Sequence, residues 1–271
     1  MKTANDILLL QNLKTLKLST MADALAAHLR QAREGHQEYD EFLLALTDVE
    51  LAVRTEHRLK RRLREAKFPL LKPLEAFQVD RATGLDVRLL KELSHGDYIT
   101  QHRNIILLGK SGTGKTHLAT GFGIAACHQG FRTRFVTGCG LTNELLEARD
   151  DHQVSRTIKR YAGYDLLIVD ELGYVPFSKA GAELLFQVLA ERHERRSVIL
   201  TTNLGFADWT QMFGEATLTA ALLDRVTHQA HIINCTWESY RLQETLRRSA
   251  STNSSPPSKA PRETASERQK P

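Results

Sequence analysis

The chain has 271 residues, room for one full core domain of about 150–200 residues and a smaller module, and its 41% hydrophobic and 25% charged residues describe a soluble globular protein. No stretch approaches the ~20 apolar residues of a membrane span, and Asp6 and Gln11 interrupt the N-terminal region before a secretory apolar run develops, so a cytoplasmic protein with no membrane partner is expected. A formal charge of +5 is mild, so a nucleic-acid surface must be sought as a local concentration, while Cys127, Cys139 and Cys235 show no C-x-x-C pattern and are expected as buried thiols.

Residues 6–64 read as helical throughout. Ser19 or Thr20 offers a cap for a helix with Met21, Ala24, Leu25, His28 and Leu29 on one face and Gly35 at its end. Asp40 offers the next cap, ahead of Phe42, Leu43, Leu46, Val49, Leu51 and Val53. Within that segment Thr47-Asp48-Val49-Glu50 has the form of a capping box and predicts a break. No strand is expected in this module.

Its last stretch, residues 54–67, holds Arg54, Arg58, Lys60, Arg61, Arg62, Arg64 and Lys67 against Glu56 and Glu65. Arg54, Arg58, Arg61 and Arg62 recur at helical spacing, which lines guanidinium groups along one side of a helix and suits the bridging of DNA phosphates. A solvated helix face is the alternative that a charge run by itself leaves open. No aromatic residue is interleaved before Phe68, so stacking on single-stranded bases is weakly supported. Pro69 and Pro73 stop the helix and make a short extended linker over residues 68–72, where a domain boundary is expected. Residues 74–80 then bring Phe77 just ahead of the core, in a position to cover an adenine. Residues 85–93 form a short helix closed by Gly96.

Residues 109–116, Gly109-Lys110-Ser111-Gly112-Thr113-Gly114-Lys115-Thr116, fit the phosphate-loop pattern G-x-x-x-x-G-K-[ST] at every fixed position. An apolar strand over residues 104–108 precedes the loop and a helix over 117–128 follows it, the context the motif requires. Glycines let backbone N–H groups converge on a phosphate, the helix N-terminus adds its positive dipole end, Lys115 reaches the β/γ oxygens, and the Thr116 hydroxyl can ligate Mg²⁺. With His117, these residues form the expected ATP site.

Beyond it the pattern alternates. Strands are expected over residues 132–137, 165–169, 197–202 and 231–235, with a two-piece helix over 141–161 between the first two, which specifies a parallel sheet covered by helices on both sides. Leu166-Leu167-Ile168-Val169-Asp170-Glu171 delivers two carboxylates to the carboxyl end of a buried strand, the edge at which open α/β sheets bind ligands. Asp170 is expected in the Mg²⁺ shell and Glu171 as the group that orients and polarises the attacking water. Residues 174–177 form a loop that either packs on the core or touches a partner. The next strand ends in Thr201-Thr202-Asn203, where an asparagine can make a turn or bond the water or γ-phosphate. His228 and His231 with Asp224 can be drawn as a metal cluster, but histidines running from a helix into a strand fit a structural role better. Residues 249–271 are rich in Ser, Pro, Lys and Arg and predict a disordered basic tail with loose DNA affinity.

The phosphate loop with His117-Leu118-Ala119, Asp170-Glu171-Leu172-Gly173-Tyr174, Gly181-Ala182-Glu183-Leu184-Leu185-Phe186, Glu194-Arg195-Arg196-Ser197, Thr202-Asn203-Leu204, Ala221-Leu222-Leu223-Asp224-Arg225 and Glu238-Ser239-Tyr240-Arg241-Leu242 closely resembles the IstB-like transposition helper ATPases, relatives of the DnaC-type helicase loaders in the AAA+ class. The resemblance spans residues 13–246. It implies an α/β AAA+ sheet of order 5-1-4-3-2, with Asn203 as polar sensor, Arg225 as an arginine finger reaching a neighbour's ATP, and Arg241 as a second sensor in its own subunit. From the residues alone, Arg225 reads as a helix-surface side chain. The implied organisation is a helical, basic DNA-binding and oligomerisation domain over residues 1–68, an AAA+ ATPase domain over 69–248, and the tail. The implied partners are duplex DNA, further copies of the chain and a transposase of the same mobile element. A replicative helicase loader acting on single-stranded DNA is the alternative. A small-molecule P-loop kinase would need an arginine-bearing lid that is not evident, and a nucleotide-gated scaffold would need no turnover.

Overall fold

The structure is a computed structural model that describes residues 4–240 and Thr245; Arg241 and the basic tail over residues 249–271 lie outside them. Three helices come first, α1 (Ala4–Thr15), α2 (Ser19–Glu34) and α3 (Tyr39–Ala66). They enclose a small core of Leu13, Met21, Ala22, Leu25 and Leu46, with Phe42 and Leu29 packed around it.

The capping signals read from the sequence resolve differently in three dimensions. Helix α2 starts at Ser19 itself and α3 at Tyr39, one residue before Asp40, so Leu18 and Glu38, rather than Ser19 or Thr20 and Asp40, hold the cap positions without side-chain bonds. No break occurs at residues 47–50. The Thr47 hydroxyl donates to the Leu44 carbonyl at 2.8 Å within the running helix, and the Glu50 carboxylate accepts from the Met21 N–H at 2.9 Å. Glu50 therefore satisfies an orphan donor in the first turn of α2 instead of capping its own helix, because burying Leu46 against α2 brings that N–H within reach. Arg54 completes the corner, its Nε on Glu50 at 2.7 Å and its Nη2 on the Lys17 carbonyl at 2.5 Å.

With 28 residues, α3 is about 42 Å long. Its first half belongs to the helical module and its second half lies against the ATP-domain elements α6 (Lys115–His128) and β2 (Thr133–Thr137). Ala66 is fully buried at its end, Lys67 turns left-handed at φ +56°, and Phe68 packs edge-on against Phe135 at 6.2 Å. A Cβ at Gly123 of α6 would collide with Phe68 and Ile168, so the glycine lets the helix lie close to both.

The sheet has five parallel strands, β1 (Ile105–Gly109), β2, β3 (Leu166–Leu172), β4 (Ser197–Thr202) and β5 (His231–Cys235). Their order β2-β3-β4-β1-β5 is the expected 5-1-4-3-2 read from the other edge. Alternate side chains feed two cores. Leu166, Ile168, Ile105, Leu107 and Ile199 face α4 (Val87–Ser94), α5 (Asp97–Thr100) and α6. Leu167, Val169, Ile106, Val198 and Leu200 face the opposite layer of α7 (Gly138–Asp150), α8 (Val154–Ala162), α9 (Lys179–Arg192), α10 (Trp209–Phe213) and α11 (Ala216–Thr227).

Arg192 fastens the amino ends of β3 and β4 from below. Fully buried, it donates to the carbonyls of Tyr161 at 2.5 Å, Tyr164 at 2.9 Å and Ser197 at 2.7 Å. Burial lowers its pKa to about 9, which leaves it cationic at neutral pH. Cys127 and Cys235 are buried thiols, whereas Cys139 at the start of α7 is half-buried, contrary to expectation. The loop after β3 divides its roles: Phe177 packs on Phe213 at 5.6 Å, while Tyr174 and Val175 point outward. Among the described residues no helix is long and apolar enough to cross a membrane.

The Met21 N–H, with help from Arg54, holds the Glu50 carboxyl below its ordinary 4.5. A depressed carboxylate contributes stability that is present above its unfolded pKa and lost as pH falls below it. Protection of the α2 amides, taken relative to their intrinsic exchange rate at each pH, is therefore expected to fall as pH drops below 4.5, and Glu50→Gln is expected to weaken α2 protection at neutral pH and flatten that acid dependence.

Candidate nucleotide site

Three parallel strands, β1, β4 and β3, end side by side, and the phosphate loop continues from the first of them. Gly109 closes β1 at φ +155°, where a Cβ would meet the Cys235 carbonyl oxygen at 2.3 Å. Gly114 opens α6 at φ +95°, and a Cβ there would meet the Phe77 ring at 2.9 Å. The Lys115 ammonium donates to the Gly109 and Lys110 carbonyls at 2.7 and 2.8 Å, which folds the side chain over the loop its backbone forms. Behind the loop, Trp237 Nε1 donates to the Thr113 carbonyl at 2.7 Å and the Tyr240 N–H to the Gly112 carbonyl at 3.0 Å. The segment after β5 thus holds the loop in place, a role with no signal in the sequence pattern.

The Thr116 hydroxyl lies 3.0 and 3.1 Å from the two carboxylate oxygens of Asp170. A hydroxyl and a buried carboxylate beside a phosphate loop are hard oxygen donors suited to Mg²⁺. One residue on, β3 shifts register between Val169 and Leu172, and Glu171 takes φ +56°, a left-handed value uncommon for a residue with a side chain. Thr201 of β4 spans this irregularity. Its hydroxyl donates to Asp170 Oδ1 at 2.6 Å and accepts the Glu171 N–H at 2.9 Å. The bulge leaves Asp170 turned in towards Thr116 and Glu171 turned out into the cleft, so adjacent carboxylates face different tasks.

The cleft has a volume of about 760 Å³, within the range of small-ligand sites. Its walls include Ser111 to Thr116, His117, Glu171 and Asn203, and, across from them, Phe77, Arg81 and Tyr240. The His117 ring meets Phe77 edge-on at 5.3 Å and bonds the Pro73 carbonyl at 3.0 Å, which fixes the wall that carries Phe77. Arg81 lies over the Tyr240 ring at 5.1 Å, an arrangement that sequence reasoning missed because the two residues are joined only by the fold.

Arg225 is not among the residues of this cleft. It sits near the end of α11 with its guanidinium over the Phe186 ring at 4.6 Å. On α3, Arg58, Lys60, Arg61 and Arg64 are exposed, with Lys60 paired to Glu56 at 2.5 Å and Arg61 to Glu65 at 4.0 Å. Arg62 lies over Gly130 at the C-terminal end of α6, and Arg54 is engaged with Glu50 and Lys17.

Replacing Thr201 by Val keeps the shape but leaves the Glu171 N–H and a buried Asp170 oxygen without this partner, an expected loss of about 1–3 kcal/mol. Thr201→Ser retains the hydroxyl and is expected to retain most of the stability; urea unfolding of the two variants measures the difference.

The sequence pattern of the family described as IstB-like ATP binding protein matches residues 11–248. The insertion sequence IS21 putative ATP-binding protein of Pseudomonas aeruginosa is 36% identical over 245 residues, covering 90% of this chain and 92% of that one. The IS232 putative ATP-binding protein of Bacillus thuringiensis subsp. berliner is 34% identical over 233 residues, covering 86% and 93%. Among solved structures, AMPPCP-bound DnaA from Aquifex aeolicus shares the fold with a TM-score of 0.53 at 18% identity, over 69% of this chain and 57% of that one. Phosphate loop, carboxylate pair, strand order and end-to-end similarity agree, and the chain belongs to the IstB-like ATP-binding proteins of insertion sequences.

Proposed function

We propose that the protein is a cytoplasmic, Mg²⁺-dependent ATPase that assembles on duplex target DNA, deforms it and delivers it to the transposase of the same mobile element. ATP favours the assembled state and hydrolysis releases it. The observation that carries this reading is the position of Arg225: the cleft gathers the phosphate loop and Glu171, with Asp170 held on Thr116 beneath it, while this arginine lies on α11 outside it. An arginine so placed serves a neighbour's site, and hydrolysis then depends on assembly.

In this mechanism the loop N–H groups and Lys115 hold the β- and γ-phosphates. Thr116 and Asp170 would hold Mg²⁺, which would supply positive charge to offset that of the phosphate oxygens. Glu171, aimed into the cleft by its left-handed backbone, orients the attacking water for in-line displacement, and Asn203 bonds that water or the γ-phosphate. Arg225 of the adjacent copy completes the charge stabilisation, and Arg241 acts as the second sensor in its own subunit. Residues 1–68 grip DNA through the exposed series Arg58, Lys60, Arg61 and Arg64 with Arg62 beside them, while Arg54 holds the helix that presents them. Residues 69–248 carry the ATPase, and the tail over 249–271 adds loose affinity for phosphates.

The ATPase rate per subunit is expected to rise with protein concentration and with duplex DNA. Arg225→Ala is expected to lower it by about 10³-fold or more while ATP binding persists, and Glu171→Gln to stop turnover with ATP and DNA binding retained. A rate independent of concentration, duplex and Arg225 would overturn the shared-site model. Removing Arg58 and Arg61 together is expected to weaken binding to all duplex sequences alike and to reduce the salt slope by about 2. Preference for single strands in the same titrations would point to helicase loading instead.

A further inference from the structure

We propose that a divalent transition-metal cation of the zinc type binds where the ends of α9 and α11 meet, held by His193, Glu194 and His228. His193 and His228 are the C-terminal cap residues of those two helices, so two negative dipole ends converge on one point and favour a cation there. One donor atom from each of the three side chains lies within 4.8 Å of the others. Glu194 Oε1 is 4.0 Å from His193 Nε2 and 3.7 Å from His228 Nδ1, and small side-chain rotations bring such a set to tetrahedral ligand spacing around one ion.

The hydrogen bonding already selects the ligating form. His193 Nδ1 lies 3.1 Å from the Arg225 carbonyl. A carbonyl oxygen can only accept, so Nδ1 carries a proton, and in the neutral ring Nε2, 4.0 Å from Glu194 Oε1, is the nitrogen left to ligate. This is the outer-shell arrangement that orients metal-bound histidines, with the non-ligating N–H held by a backbone carbonyl. The two rings stand 5.6 Å apart at 61°, so they are not stacked on each other and their nitrogens can converge.

The donor set identifies the class of ion. Two imidazoles and a carboxylate suit Zn²⁺ and its neighbours, whereas Mg²⁺ and Ca²⁺ take all-oxygen shells. The site opens on a depression of about 170 Å³ lined also by Gln101, His102 and Gln229. The side chain of Glu194 is 67% exposed and that of His228 47%, which leaves a fourth position for water and makes the ion exchangeable. The cluster was not visible as a sequence motif: Asp224 and His231, the partners suggested by spacing, are not in it, and His193 and Glu194 come from a different helix.

A bound ion would staple the end of α9 to the end of α11 one turn beyond Arg225, whose carbonyl is in its outer shell. It would thereby fix the pose of the trans-acting arginine, a consequence that rests on the reading of Arg225 given above.

The test is calorimetric titration of the metal-free full chain with Zn²⁺, followed by Co²⁺ substitution read by visible absorption. One tight site per chain is expected, not displaced by excess Mg²⁺, with the Co²⁺ bands of a low-coordinate nitrogen and oxygen site. Glu194→Gln and His228→Ala are each expected to weaken Zn²⁺ binding by more than about 100-fold and to abolish those bands. His228→Asn serves where His228→Ala fails to fold by circular dichroism. Unchanged affinity in these variants overturns the site, as does loss of the tight site in Cys139→Ser. Arg225→Ala removes only a side chain and keeps the carbonyl, so it is expected to bind Zn²⁺ like the parent. Failure of the metal site and failure of the trans-arginine model are therefore read separately.

Discussion

The hydroxyl of Thr201 is the point on which the site's geometry turns. Three parallel strands end together at the carboxyl edge of the sheet, and a regular ladder would send Asp170 and Glu171 to opposite faces of β3. The register shift and the left-handed Glu171 break that alternation. Such a conformation persists only where neighbours hold it, and Thr201 does so with one atom that donates to Asp170 and accepts from Glu171. Asp170 is thereby kept against Thr116 at the start of α6, which ties the carboxylate pair to the phosphate loop.

Helix α3 sets a second constraint. It is continuous from the helical module to the ATP domain, so the module cannot turn freely about a linker at that junction. Glu50 and Arg54 bind its first half to α2, and Ala66 and Arg62 seat its second half against β2 and the C-terminal end of α6. The amino end of α6 carries Lys115 and Thr116. Two packed helices, α3 and α6, thus join the proposed DNA face to the nucleotide cleft.

Under the proposed reading, the outer layer of the domain meets a neighbouring copy. Helix α11 carries Arg225 outside its own cleft, supported on Phe186, and the ends of α9 and α11 bring together His193, Glu194 and His228. Under the proposed reading, whatever stabilises the corner of α9 and α11 also sets where the arginine points, so the pose of a residue acting in a neighbouring site is governed by packing in its own subunit.

Much of this was legible in the sequence, because its signals are local. A phosphate loop needs glycines at fixed positions, a buried parallel strand needs an unbroken apolar run, and both are written in consecutive residues: β4 and β5 fall on the residues expected from their apolar runs, and the sheet order is the one the resemblance implies. What failed or was missed depends on groups far apart in the chain. Glu50 reads as a cap for its own helix but caps α2, Trp237 and Tyr240 brace a loop more than a hundred residues earlier, and Thr201 is one more polar residue at a strand end until β3 lies beside it. The sequence by itself determined where the backbone binds phosphate and which strands are buried, since each follows from short-range sterics and periodicity. Only the tertiary structure decided which side chains share a hydrogen bond, which arginine lies outside the cleft, and which histidines meet a carboxylate, because those outcomes depend on the packing angle between elements, which no single stretch of residues encodes.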